Sequence, residues 1–154
     1  MKRETLLCAI LLSSIVCSLP ATAQESGYWH ASSSTARSIT GDLTLSGEKV
    51  LISFSTFAVA RIRNLTPDEL AATFDAADPS TEGRGGLYRL NIPASKKFLH
   101  HNALCGAEDT QWMAAYVVGR SLQLAFFSGP KVPVFTRNAI ANSTDLCGTF
   151  SYTR

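Results

Sequence analysis

The sequence predicts an all-β domain: a small antiparallel barrel or two-layer sandwich of about seven or eight strands, with one short helix and one disulfide. Three observations carry that expectation. Apolar and polar residues alternate in segment after segment. A single well-marked helix start interrupts them. Only Cys105 and Cys147 remain once an N-terminal leader is set aside.

The leader comes first. Lys2 and Arg3 precede an apolar run from Leu6 to Val16, a break at Pro20, and the small-x-small sequence Ala21-Thr22-Ala23 ahead of Gln24. That is the layout of a cleaved secretory signal peptide, so residues 1–23 are expected to be removed and residues 24–154 to form a single β domain. The run falls short of the roughly 20 apolar residues that a membrane-spanning helix needs. The expected location is periplasmic or secreted, where disulfides form.

Charge excludes some partners. The chain has 14 basic and 12 acidic residues, and losing Lys2, Arg3 and Glu4 with the leader leaves a net charge of about +1. No basic run is longer than Lys96-Lys97, so the footprint of a nucleic-acid binder is missing. Nor is there a polybasic patch suited to a membrane surface.

Ile39, Leu43 and Leu45 alternate with Thr40, Asp42 and Thr44, the pattern of a half-buried strand. Ser46-Gly47-Glu48 turns the chain into Val50, Ile52 and Phe54, making Ser38 to Phe54 a hairpin, and Phe57 to Ile62 continues in β-rich composition. Thr66-Pro67-Asp68-Glu69 then combines an N-cap, a proline at the first helical position and a glutamate three residues after the cap. Leu70 and Phe74 share one face of that helix. Asp78-Pro79 ends it, and Asp78 to Gly86 reads as a polar loop.

Leu87 to Ile92 is the next strand, with Tyr88, Leu90 and Ile92 on one face and Leu87, Arg89 and Asn91 on the other. Pro93 stops it; Ala94 to His101 fits a helical turn or a loop equally. Gln111 to Ser128 is the strongest hairpin, turning at Val118-Gly119-Arg120-Ser121. Pro130 and Pro133 mark a loop, and Leu146 to Tyr152 is a last strand.

Exported and 42 residues apart, Cys105 and Cys147 are expected to form one disulfide; a reactive thiol pair or a metal site favours the closer C-x-x-C spacing. His30, His100 and His101 are all the histidines, and no carboxylate or cysteine stands at ligand spacing from them, so neither a metal nor a cofactor is expected. G-x-S-x-G, H-E-x-x-H and S-x-x-K are absent. Within the glycine-rich stretch, Arg84, Gly85 and Gly86 form a candidate binding loop. Trp29, Trp112 and Tyr116 are candidate ligand-facing aromatics, weighed against a plain packed core.

Three segments also carry a resemblance: Leu87-Tyr88-Arg89-Leu90-Asn91-Ile92-Pro93-Ala94, the stretch from Asn102-Ala103-Leu104-Cys105-Gly106 through Thr110-Gln111-Trp112-Met113, and Leu146-Cys147-Gly148-Thr149-Phe150-Ser151-Tyr152. Together they resemble an uncharacterised family of small exported proteobacterial proteins. The resemblance implies a periplasmic location and supports the cysteine pairing; it transfers no active site. An analogy with small periplasmic barrels that inhibit lysozyme rests on fold class alone.

The expected function is therefore a non-catalytic periplasmic or secreted β domain that binds a protein or a small ligand. A cell-envelope hydrolase with a dispersed carboxylate and histidine site is the first alternative, and a structural or stress-related envelope factor the second.

Overall fold

A computed structural model describes residues 25–75 and 84–154. The expected signal peptide, and residues 78–83 of the expected polar loop, lie outside the described residues. The elements are β1 (Gly27–Ala31), α1 (Ser34–Ile39), β2 (Leu43–Ser46), β3 (Lys49–Ile52), β4 (Ser55–Asn64), α2 (Pro67–Thr73), β5 (Arg84–Ile92), a 3-10 turn (Leu99–His101), β6 (Thr110–Val118), β7 (Ser121–Phe127), α3 (Arg137–Ala141) and β8 (Leu146–Thr153).

The eight strands run antiparallel in chain order and close into a barrel. Closure is made by His30 opposite Thr153 and Ala31 opposite Tyr152. A barrel therefore replaces the sandwich alternative. Closing the sheet removes the two free edges that a sandwich must protect.

Side chains fill the interior. Trp29, Met113, Phe126, Phe150 and Tyr152 are buried there with the alternate residues of every strand. The expected faces of Leu87 to Ile92 hold: Tyr88, Leu90 and Ile92 point inward. Leu87 instead joins a second cluster on the outer face of β5–β7, with Trp112, Ala114, Tyr116, Ala125 and Phe127. Helix α2 lays Leu70 and Phe74 on that face, and Phe135, just before α3, completes it. At seven residues α2 is too short to persist alone. Burying Phe74, at roughly 1.5–3 kcal/mol for a large apolar side chain, holds it in place.

The capping box is present as expected. Glu69 N–H donates to Thr66 Oγ1 at 3.3 Å while Glu69 Oε2 accepts from Thr66 N–H at 2.9 Å. Arg63 adds a bidentate pair to the same carboxylate at 2.7 Å per bond.

Several elements differ from expectation. β1 and the helices α1 and α3 add to the expected set. Ser34 to Ile39 is helical because Ser33 caps it, accepting from Ala36 N–H at 3.1 Å. The hairpin expected from Ser38 accordingly starts only at Leu43. β5 begins at Arg84, three residues before the expected Leu87, so Arg84, Gly85 and Gly86 are strand residues rather than a loop. Gly85 pairs with Tyr116 and Gly86 with Ala115. Their lack of side chains is steric. A Cβ at Gly85 would stand 2.4 Å from Leu70 Cδ2 and 2.5 Å from the Ala115 carbonyl oxygen; one at Gly86 would meet the Arg61 guanidinium at 2.7 Å.

Cys105 and Cys147 are bonded, with Cα atoms 4.9 Å apart. The local reason is a register break between Phe126 and Phe127: Gly148 faces Phe126 and Leu146 faces Phe127, leaving Cys147 as the extra residue. Such a bulge re-aims the side chain it carries.

Candidate functional site

The three candidate aromatics do not share a surface. Trp29 is inside the barrel, its Nε1–H donating to the Glu25 carbonyl at 2.9 Å and the Arg154 guanidinium lying 4.3 Å from its ring centre. Trp112 and Tyr116 are buried on the outer face, where Tyr116 stacks on Phe74 at 5.8 Å and Trp112 carries the Arg89 guanidinium. All three rings are spent on packing. Among the described residues Trp112 Nε1–H has no partner, a cost that the burial of its ring offsets.

The barrel ends are closed differently. At one, the buried hydroxyl of Tyr152 meets Thr40 Oγ1 at 2.7 Å beneath α1. Burial pushes the Tyr152 hydroxyl pKa up. At another, Arg61 donates to Glu25 at 3.0 Å and to the Tyr88 hydroxyl, which itself donates to Glu25. Desolvation, then the bond to Glu25, raises the pKa of Tyr88.

A groove of about 350 Å³ lies against β2 and β3, floored by Leu43 and Leu51 and walled by Tyr28, Phe54 and Leu99. Two turns rim it. Ile52 pairs with Ser55, so Ser53-Phe54 is a two-residue hairpin loop, with φ of 45° and 64°. Both values are positive, as a type I′ turn requires, yet the residues are not the Asn-Gly that normally supplies them. The second turn follows Leu99: His100 and His101 have φ of 53° and 60°. His100 Nδ1–H and Asn102 Nδ2–H hold it by donating to the Ser38 carbonyl at 3.0 and 3.2 Å. Among the described residues, these four are all the non-glycine residues with positive φ. Ser53 and Phe54 line this groove and His100 and His101 directly follow its Leu99, and strain of this kind gathers at working sites.

Phe54 is fully exposed at the tip of its turn, and Tyr28, Leu51 and Leu99 are partly exposed beside it. One carboxylate borders this apolar surface. Asp42 Oδ2 accepts from the Tyr28 hydroxyl at 2.6 Å and from His30 Nδ1–H at 3.2 Å, while Oδ1 accepts from Ala31 N–H at 2.8 Å. The Tyr28 bond, then the Ala31 amide and His30, hold the Asp42 carboxyl below the usual range; the same bond to Asp42 raises Tyr28. A carboxylate so stabilised is a fixed negative charge rather than a base poised near neutrality. His30 is mostly exposed, and among the described residues the hydrogen-bond partner of its ring is Asp42. The arrangement can bury an apolar side chain and offer one anion at its edge.

No group of three or more histidine, cysteine or acidic residues able to hold a metal occurs among the described residues. Nor does any helix there have the length and apolarity to cross a membrane. Asp109 is engaged elsewhere, accepting from Ala94 N–H at 2.8 Å. Sequence reasoning missed Tyr28, Leu51, Phe54 and Leu99. Phe54 read as the last inward residue of a strand, and a two-residue loop without glycine or asparagine gives no local sign of itself.

Compared with models of protein families, with curated proteins and with solved structures, the chain matches none.

Proposed function

We propose that this is an exported, non-catalytic binding domain that holds a partner protein through the groove beside Phe54. The observation that carries the reading is Phe54 itself: a fully exposed aromatic side chain on a positive-φ turn. Left in water, such a ring contributes nothing to folding, and its backbone costs on the order of 1 kcal/mol. Buried in a partner's pocket it becomes the kind of aromatic anchor that dominates interface energy. A protruding ring suits a protein better than a small ligand, which a recess alone would hold. The N-terminal leader pattern and the disulfide support work in an oxidising compartment such as the periplasm.

The test is capture from an envelope extract of the exporting cells, comparing wild type with Phe54→Ser and with Ile62→Ser, a second exposed apolar residue outside the groove lining. A species held by wild type and Ile62→Ser but lost by Phe54→Ser is expected. Equal capture by all three overturns the reading.

A further inference from the structure

The segment between β7 and α3, Gly129-Pro130-Lys131-Val132-Pro133-Val134-Phe135, is built unlike any other loop described in the molecule. Both ends are fixed. Ser128 is buried and donates from its N–H to the Asp145 carbonyl at 2.8 Å, and Gly129 turns with φ of 80° against the Asp145 carboxylate. At the far end Phe135 is buried edge-on against Phe127 at 5.8 Å, beneath the Arg63 guanidinium, before Thr136 caps α3.

Between these anchors the chain is bare. Val132 and Val134 are 51 % and 64 % exposed, and Pro130 and Lys131 are exposed too. Among the described residues, Pro130 to Val134 make no backbone hydrogen bond. Lys131 makes no ion pair there either. Pro130 and Pro133 fix φ on either side of Lys131-Val132, so the segment is stiff without any ladder to hold it. Residues 131–134 border a recess of about 300 Å³ against α3.

Free N–H and C=O groups on a preorganised, unpaired segment are what strand-addition recognition uses, with side-chain pockets adding selectivity. The side chain offered here is an unpaired cation between apolar residues. Its complement is an acidic pocket beside a backbone-binding cleft, the combination that gives a trypsin-class serine protease its choice of lysine or arginine. We propose that residues 129–135 are a substrate-like segment that docks in the cleft of a lysine- or arginine-specific serine protease, with Lys131 entering the acidic pocket. Preorganisation by the two prolines and the anchored ends removes much of the ordering cost that a flexible peptide meets on binding. This surface shares no residue with the Phe54 groove, so either proposal can fail alone.

The experiment uses the folded, disulfide-bonded protein from Gln24 onward and pancreatic trypsin as the probe, reading initial rates on a small chromogenic lysyl or arginyl substrate. The protein is expected to compete with that substrate. Lys131→Ala should weaken the competition by at least about tenfold, and Lys131→Arg should retain it. All other lysines and arginines remain in Lys131→Ala, so equal competition by that variant overturns the proposal. Absence of competition by wild type at about 100 μM overturns it as well. Lys131 is exposed and bonded to nothing described, and an unchanged melting temperature will confirm that each variant is folded.

Discussion

Cutting the Cys105–Cys147 bridge tests how much of this barrel's stability is stored in its unfolded state. The bond closes a loop of 42 residues. In the chain-entropy treatment that removes about 13 cal/mol/K from the unfolded ensemble, or about 4 kcal/mol at 25 °C. With an unfolding entropy of roughly 2 cal/mol/K per residue over residues 24–154, the loss corresponds to a fall in Tm of roughly 10–15 °C. Cys105→Ser with Cys147→Ser is the cleanest form, because serine keeps an oxygen for Thr110, whose buried hydroxyl donates to Cys105 Sγ at 3.1 Å. Calorimetry gives the Tm, and urea titration gives a second signature: the uncrosslinked chain expands on unfolding, so its m value should rise. A Tm change below about 3 °C with an unchanged m value would refute the reasoning. So would two reactive thiols in the denatured, unreduced wild-type protein from Gln24 onward.

Three further outcomes follow from the geometry. Replacing Ser53-Phe54 by Asn-Gly puts the preferred residues into the positive-φ turn and should raise stability by about 1 kcal/mol, read by urea unfolding, while abolishing Phe54-dependent capture. Gly85→Ala forces a Cβ against Leu70 and the Ala115 carbonyl and should cost about 1–3 kcal/mol; a neutral result in the same titration would show that α2 does not press on β5 as described. Asp42 and Glu69 both have carboxyl pKa values held down, by Tyr28 and by Arg63 respectively. Their contribution is therefore complete above the ordinary carboxylate range near pH 4 and fades as pH falls through the lower folded values. Asp42→Asn with Glu69→Gln should flatten the acid side of a Tm-against-pH curve, and an unaltered acid limb would count against it.

Much of the barrel was legible because strands with one face on a core must alternate. The Gln111 to Ser128 hairpin, the inward set Tyr88, Leu90 and Ile92, and the Thr66 capping box each followed from local chemistry that tertiary contacts left intact. What was hidden depends on contacts distant in sequence. Ser34 to Ile39 has no apolar stripe of its own; it is placed by Ser33, whose backbone N–H and side chain both bond to Ser151. Gly85 and Gly86 looked like loop glycines because nothing nearby in sequence announces Leu70 and Arg61 above them. The groove was harder still. Tyr28, Asp42, Phe54 and Leu99 are brought together only by the pairing of β1, β2 and β3 and by the turn after Pro93. The disulfide was the reverse case, readable from cysteine number and the N-terminal leader pattern alone.

The seam between β1 and β8 has a consequence for how this molecule comes into being. Its two paired positions join residues 30 and 31 to 152 and 153, so the cylinder stays open until residues more than 120 positions apart have met. Until then both terminal strands carry unsatisfied backbone groups, and contacts this distant in sequence form slowly. Cys147 rides on the same closing strand, one bulge away from its partner loop. Oxidation and closure are thus coupled events: the strand that shuts the wall also delivers the sulfur. A cell making this protein needs thiol oxidation and protection from edge-to-edge association at the same late moment, on the same eight residues.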